Sequence, residues 1–177
     1  MAPPIFSQDV VQQQFTQYSV PGSSVNVNLN AANDIAIYPF HIPYLQQVSA
    51  IALRIWDADA THNSDIGIYD ADGNLIANIG AQTIPTGSSL SFDIVQGTVV
   101  LGPGLYFLAF TSEATDLGLV VANNVGVDGT GEYVRILETN TTSSGGTLPS
   151  TITISQNINA GATLMHQGNP PLMILLP

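Results

Sequence analysis

The 177-residue chain has no cysteine and no lysine, and its basic residues are only Arg54 and Arg135. Without cysteine there are no disulfides, no thiolate zinc sites and no thiol nucleophile, so stability is independent of the redox state of the surroundings. Thirteen acidic residues against two arginines leave a formal net charge of −11. A surface so poor in cations cannot neutralise a phosphate backbone or adhere to an anionic bilayer, which excludes nucleic acid and membrane surfaces as partners. Charged residues make up only 8% of the chain, so amides, hydroxyls and glycine must cover much of what faces water. No apolar run approaches the ~20 residues that cross a bilayer as a helix. The opening MAPPIFSQDVVQQQ has neither the basic segment nor the apolar core of a secretory signal. Synthesis in a cytoplasm without export by that route is expected.

What the chain does contain is strand patterning. Short β-branched and aromatic runs recur from residue 38 to 110, divided by turn chemistry, with no gap long enough for a large helix. Val25, Val27 and Leu29 alternate with asparagine after a Pro-Gly turn, the pattern of a half-buried strand. Further strands are expected at 35–40, 48–56, 66–69, 75–79, 90–95, 99–101, 105–111, 117–121, 133–137 and 151–155. Asp70-Ala-Asp72-Gly73-Asn74 reads as a hairpin turn, because Gly and Asn tolerate positive φ. Gly102-Pro103-Gly104 is a second turn, and Thr141-Thr-Ser-Ser-Gly-Gly146 reads as a flexible loop. The apolar terminus Pro170-Pro171-Leu-Met-Ile-Leu-Leu-Pro177 is expected to close the fold as a strand. So many short strands imply an all-β, jelly-roll-like β-sandwich over residues 21–177.

Residues 1–20 stand apart as an N-terminal arm. Pro3 and Pro4 begin it extended, and Ser7 caps a short helix in which Val11, Phe15 and Tyr18 form one apolar stripe. So short a helix needs a surface to lie on. Its own domain or a neighbouring subunit would serve, and these five residues are the candidate partner-binding set.

The chemistry-bearing residues do not assemble into a motif. The acidic run Asp57-Ala-Asp59-Ala-Thr-His62-Asn63-Ser-Asp65 lacks the spacing, glycine and bidentate Glu of a calcium loop, and reads as a solvated connection. His41, His62 and His166 show no metal-ligand spacing. There is no G-x-S-x-G elbow for a serine nucleophile. Glu113, Glu132 and Glu138 fall in loops or outward strand positions, which gives no support to a glycosidase pair. Of Tyr38, Tyr44, Trp56, Tyr69, Tyr106 and Tyr133, most fall within expected strands at alternating positions, where such rings fill the core more often than they form a sugar platform. The expectation is therefore no catalytic residue, no metal and no cofactor.

Three segments taken in order, PFHIPYLQQVSAIALRIW, DIGIYDADGNLI and LGPGLYFLAF, resemble a β-sandwich module of virion proteins of tailed bacteriophages. The resemblance covers about residues 33–122, and PPLMILLP resembles the module's closing strand. It implies a virion protein, either a receptor-binding tail protein or a small protein of the capsid surface. With the expected domain beginning so near residue 1, a capsid cement or decoration protein is the favoured expectation. Such a protein bridges major capsid protein subunits by burying apolar surface at roughly 25 cal/mol per Å², repeated over many sites. A homotrimer at a threefold position follows by analogy. The alternative is a tail protein recognising a host surface glycan through loops 57–65, 112–117 and 138–147. A sandwich glycoside hydrolase stands third.

Overall fold

The computed structural model describes residues 25–29, 31–57, 61–85, 87–115, 118–121, 135–138, 141–154, 164–167 and 173–177. Among these are fourteen strands: β1 (Val25–Asn28), β2 (Ile35–Ile42), β3 (Gln46–Val48), β4 (Ala50–Asp57), β5 (Asn63–Asp70), β6 (Leu75–Asn78), β7 (Gln82–Thr83), β8 (Gly87–Asp93), β9 (Val99–Leu101), β10 (Gly104–Ser112), β11 (Gly118–Val121), β12 (Arg135–Glu138), β13 (Leu164–Gln167) and β14 (Met173–Leu176). Every ladder is antiparallel.

The largest sheet has the order β13-β12-β2-β10-β5-β6, with β7 also on β5. The second centres on β4. β8 follows one side of β4 from Ala50 to Ile55, β14 takes the other side over 50–53, and β11 replaces it at Ile55. β1 then extends this sheet beyond β11. The third sheet, β3 with β9, continues the β4–β8 ladder. Val48 pairs Val99 and Ala50 pairs Asp93, so residues 94–98 are looped out between them.

One core joins all three sheets. Ile51, Leu53, Ile55 and Leu175 from the second meet Ala36, Ile66, Ile68, Leu108 and Phe110 from the first, with Val48 and Leu101 from the third. Because successive side chains on a strand alternate in direction, the odd-numbered neighbours on β2, β5 and β10 emerge on the opposite face. There Ile35, Ile37, Tyr69, Phe107 and Ala109 form a second cluster with Leu148 and Ile152. The largest sheet is thus covered on both sides, which is why β2 and β10 read as continuous apolar runs. Its outer cover is a strap, residues 141–154, with only two single bridges, Asn74–Thr151 and Ser144–Thr147.

The strap is held by its backbone. Ser143 N donates to Asn33 O at 2.8 Å, Leu75 N to Ser150 O at 2.9 Å and Ile152 N to Gly73 O at 2.9 Å. Two glycines permit the approach. Gly73 and Gly146 have φ of +84° and +64°, and a Cβ on either would overlap a carbonyl, that of Ile152 or of Asn63.

Several sequence expectations change. The strand expected at 48–56 breaks at Ser49, whose N–H donates to Leu176 O at 2.8 Å and whose C=O accepts from Ile94. That break shifts the alternation, so Val48 and Ile51 both enter the core. Of the strand expected at 151–155, residues 151–154 have one bridging residue and are part of the strap, while residue 155 lies outside the described residues. The 141–146 segment is pinned, with Ser143 and Gly146 buried, because its hydroxyls and amides find partners on the sheet. The hairpin at 70–74, the turn at 102–104 and the terminal strand stand as expected.

Candidate functional site: a polar loop cluster and an uncharged apolar tip

β2 and β10 run antiparallel with Thr111 opposite Ile35 at one end and Gly104 opposite Ile42 at the other. Strand rise puts these ends roughly 24 Å apart, and each carries a different chemistry.

At the first end three loops converge. Asn63 N donates to Glu113 Oε2 at 2.9 Å, and Glu113 N donates to Asn63 O at 2.9 Å. Ser64 Oγ donates to Ser112 Oγ at 2.9 Å, and Ala114 N donates to the same oxygen at 3.2 Å. The strap enters through Ser143, whose hydroxyl lies 2.6 Å from Thr111 Oγ1 and 3.3 Å from Asn33 Oδ1. Gly146 N also donates to Asn33 Oδ1, at 3.2 Å. Asn33 holds φ of 65°, which Asn adopts more readily than most residues. It thus serves as both a turn residue and a side-chain acceptor. Residues 63–64, 112–114 and 143–146 therefore meet at one place.

Beneath the strap lies Asp65, with 0% of its surface exposed. Its Oδ2 accepts from Asn78 Nδ2 at 2.7 Å and from Leu148 N at 3.1 Å, while no group meets Oδ1 in hydrogen-bonding geometry. Burial raises the carboxyl above its ordinary pKa, and Asn78 with the amides of Leu148, Ile66 and Gly80 offsets this only in part. Burial, and secondarily the charge of Asp65, pushes the Tyr69 phenol well above its usual range. Tyr69 accordingly stays a donor, to Pro149 O at 2.6 Å. Asp65 was expected in a solvated loop. It stands instead inside β5, whose N-terminal extension to Asn63 is set by pairing with Thr83 and with Ser112.

At the other end, the connections 43–45 and 102–103 lie side by side, because Gly104 pairs Ile42 and Leu101 pairs Gln46. Tyr44 is 75% exposed, Leu45 73%, Val100 58% and Leu105 45%. Tyr44 is thus no core ring, contrary to the sequence reading. It falls in the connection after Pro43, outside any ladder. The tip is held in shape by Tyr106, which donates to Gly102 O at 3.1 Å and stacks on Phe40 with centroids 6.0 Å apart. Residues 35–53 and 94–112, which include the tip, contain no Asp, Glu, Lys or Arg.

The candidate partner-binding residues Pro3, Pro4, Val11, Phe15 and Tyr18 lie outside the described residues. His62 is exposed and its Nδ1 lies 3.2 Å from Thr61 Oγ1, while His41 is exposed near the end of β2. Asp70 turns its carboxylate into its own hairpin, accepting from Asp72 N and Asn74 N, each at 2.9 Å. Among the described residues no group of three or more His, Cys, Asp or Glu is placed to share a metal ion. Compared with family models, with curated proteins and with solved structures, the chain has no significant match in any of the three. The structure defines an all-β domain of several packed sheets.

Proposed function

We propose that this chain is a structural building block of a phage virion, a jelly-roll β-sandwich that acts as a capsid cement or decoration protein. The observation that carries the reading is the tip. Four of the five large apolar side chains exposed among the described residues lie at the tip or beside it, Tyr44 and Leu45 on the 43–45 connection, Val100 on β9 and Leu105 on β10. Neighbouring exposed apolar side chains such as Tyr44 and Leu45 mark contact with another macromolecule. The sequence resemblance supplies the setting, a capsid surface with the major capsid protein as partner. The arm residues Pro3, Pro4, Val11, Phe15 and Tyr18 supply a second proposed contact, and a homotrimer is the proposed assembly.

The test mixes purified chain with expanded capsids of the phage that encodes it. Saturable binding that raises the capsid melting temperature, and that weakens in a Tyr44→Ser/Leu45→Ser variant, supports the proposal. Binding to host cells or glycans with no affinity for capsids overturns it. The convergence of Asn63, Glu113 and Ser143 at the opposite end favours that second reading, a receptor-binding protein contacting glycan hydroxyls through amides, hydroxyls and a carboxylate. Glu113→Gln with Asn63→Ala would then abolish glycan binding and leave capsid binding untouched.

A further inference from the structure

We infer that the strap, residues 141–154, is a pH-gated cover: it lies closed on the outer face of the largest sheet when Asp65 is protonated and lifts when Asp65 is ionised. The inference is independent of what the protein binds.

Geometry makes the strap the lid of Asp65. Alternate residues of a strand share a face, so Asp65, Gly67 and Tyr69 form one row on the outer side of β5. The strap lies along that row. Leu148 N donates to Asp65 Oδ2 at 3.1 Å, and the Tyr69 hydroxyl donates to Pro149 O at 2.6 Å. Between them Gly67 leaves room for the leucine, since a Cβ there would stand 2.9 Å from Leu148 Cδ1. Among the described residues Asp65 is the one charged residue that is fully buried, and its Oδ1 has no partner. An ionised carboxylate accepts at both oxygens, and keeping one of them dry is costly. The inner side of β5 is sealed by the packed sheets. Lifting Leu148 and Pro149 therefore hydrates the carboxylate while leaving that inner core intact. It also bares Ile35, Ile37, Phe107 and Ala109, so the protein shows an apolar face that it hides in acid.

Few other groups near Asp65 respond to pH. Residues 75–92, 94–98 and 141–154 contain no ionisable side chain, so β6, β7 and the strap face Asp65 with amides, hydroxyls and apolar groups. β10 places Thr111 opposite Asp65, and its Tyr106 lies opposite Asp70 toward the other end. Burial and the charge of Asp65 push the Tyr69 phenol up, so it stays a donor. Glu113, bonded to Asn63 N, and exposed His62 stand beyond one end of β5, and Asp70 is turned into its hairpin at the other. All three remain in an Asp65→Asn variant, so comparison with it removes what they contribute. Burial raises the Asp65 carboxyl in the closed form, so that form holds the proton more tightly than the open one. The cover is fully stable below the ordinary carboxylate value of about 3.9 and loses stability as pH rises through the closed-state value. Opening releases at most one proton. The open fraction therefore grows no faster than about tenfold per pH unit and then levels off.

Hydrogen exchange of the full chain, followed from mildly acidic to mildly alkaline pH, tests this directly. The strap amides of Ser143, Leu148 and Ile152 are compared in wild type and Asp65→Asn at each pH, so that the intrinsic pH dependence of exchange cancels in the ratio. The ratio should climb with pH, by no more than about tenfold per unit, and reach a plateau. Strap amides should exchange faster than those of β10 throughout, because opening leaves the core folded. A ratio that does not change with pH overturns the inference. So does equal protection of strap and β10 at every pH, since Asp65 would then act only on unfolding of the whole domain. Should circular dichroism show that Asp65→Asn does not fold, wild-type protection corrected for intrinsic rates decides instead. Strap protection that falls as pH rises supports the gate, and constant protection overturns it.

Discussion

Asn78 Nδ2 lies 2.7 Å from Asp65 Oδ2 in the buried layer between β5 and β6, and the same Asn78 is gripped from outside by Gln96. Gln96 Nε2 donates to Asn78 Oδ1 at 2.8 Å, and Asn78 N donates to Gln96 Oε1 at 3.0 Å. Val95 N adds a bond to Asn78 O at 2.8 Å. Since Leu148 N also donates to Asp65, one short chain of polar groups connects the looped-out 94–98 segment, the hairpin and the strap. These elements are far apart in sequence and carry little regular structure. Buried hydrogen bonds, stronger in low dielectric, fix where they sit.

The protonation of Asp65 should therefore be visible in stability. Its folded pKa is raised, so the folded state holds the proton more tightly than the unfolded chain does. The contribution of Asp65 is fully present below the unfolded carboxylate value, about 3.9. It is lost as pH rises through the folded value, and above that the buried charge imposes a constant cost. Asp65→Asn retains an oxygen for Asn78 and Leu148 but removes the titration. Denaturant unfolding of both proteins between mildly acidic and neutral pH should show wild type losing stability relative to the variant as pH rises. A difference that does not change with pH would contradict the assignment.

Asp70 should give the opposite sign. Slight burial raises its pKa, but the hydrogen bonds from Asn74, Asp72 and Gly73 together outweigh this and leave it lowered. Its contribution is present above the ordinary carboxylate value and disappears as pH falls through the lowered one. Asp70→Ala should destabilise the 70–74 turn by about 1–2 kcal/mol at neutral pH, with the deficit shrinking in acid.

Gly146→Ala is expected to loosen the strap more than its small size suggests. The residue holds φ of +64°, and a Cβ there would overlap the Asn63 carbonyl. Strain of this kind costs about 1–3 kcal/mol. Here the strap can relieve it by lifting off the sheet. Hydrogen exchange at Ser143 and Leu148 should accelerate before that of β10. If all amides accelerate alike, the strap does not move independently.

Much of the frame could be read from residues alone, and the reasons are local. The hairpin at 70–74 was legible because Asp70, Gly73 and Asn74 carry their turn chemistry with them. β10 was legible because GLYFLAFTS is apolar on both faces, as a doubly covered strand must be. The strap was not legible. Thr141-Thr-Ser-Ser-Gly-Gly146 has the composition of a loose loop, and its order comes from Asn33 and Thr111, which are distant in the chain. The tip failed for the same reason. Tyr44 falls between the strands expected at 35–40 and 48–56, and only the pairing of Leu101 with Gln46 shows which neighbours it stands beside at the tip. Asp65 was misplaced by composition, since Asp and Asn neighbours suggested solvent where a covering segment excluded it.

Tyr69→Phe isolates one fastening. The ring stays in its apolar cluster, and only the 2.6 Å hydrogen bond to Pro149 O is removed. Losing the donor to this half-buried carbonyl costs about 1 kcal/mol. Exchange at Leu148 and Ile152 should rise more than exchange in β2, as measured by mass spectrometry on the intact chain. Equal protection in variant and wild type would mean that Pro149 finds a substitute donor.

The two faces of the central sheet should fail differently when emptied. Phe110 lies fully buried between the sheets, whereas Leu148 covers the outer face from the strap. Phe110→Ala removes packing shared by all three sheets and should cost about 3–5 kcal/mol, in a single cooperative unfolding transition. Leu148→Ala should cost about 2–5 kcal/mol of local packing. Part of that loss should be confined to release of residues 141–154, because they touch one face only. The ratio of the calorimetric to the van't Hoff enthalpy separates the outcomes. It should stay near unity for Phe110→Ala and rise above it for Leu148→Ala as a second, smaller transition appears. A single transition in both variants would show that the strap and the core melt together, making the strap an integral layer of the fold rather than a fastened cover.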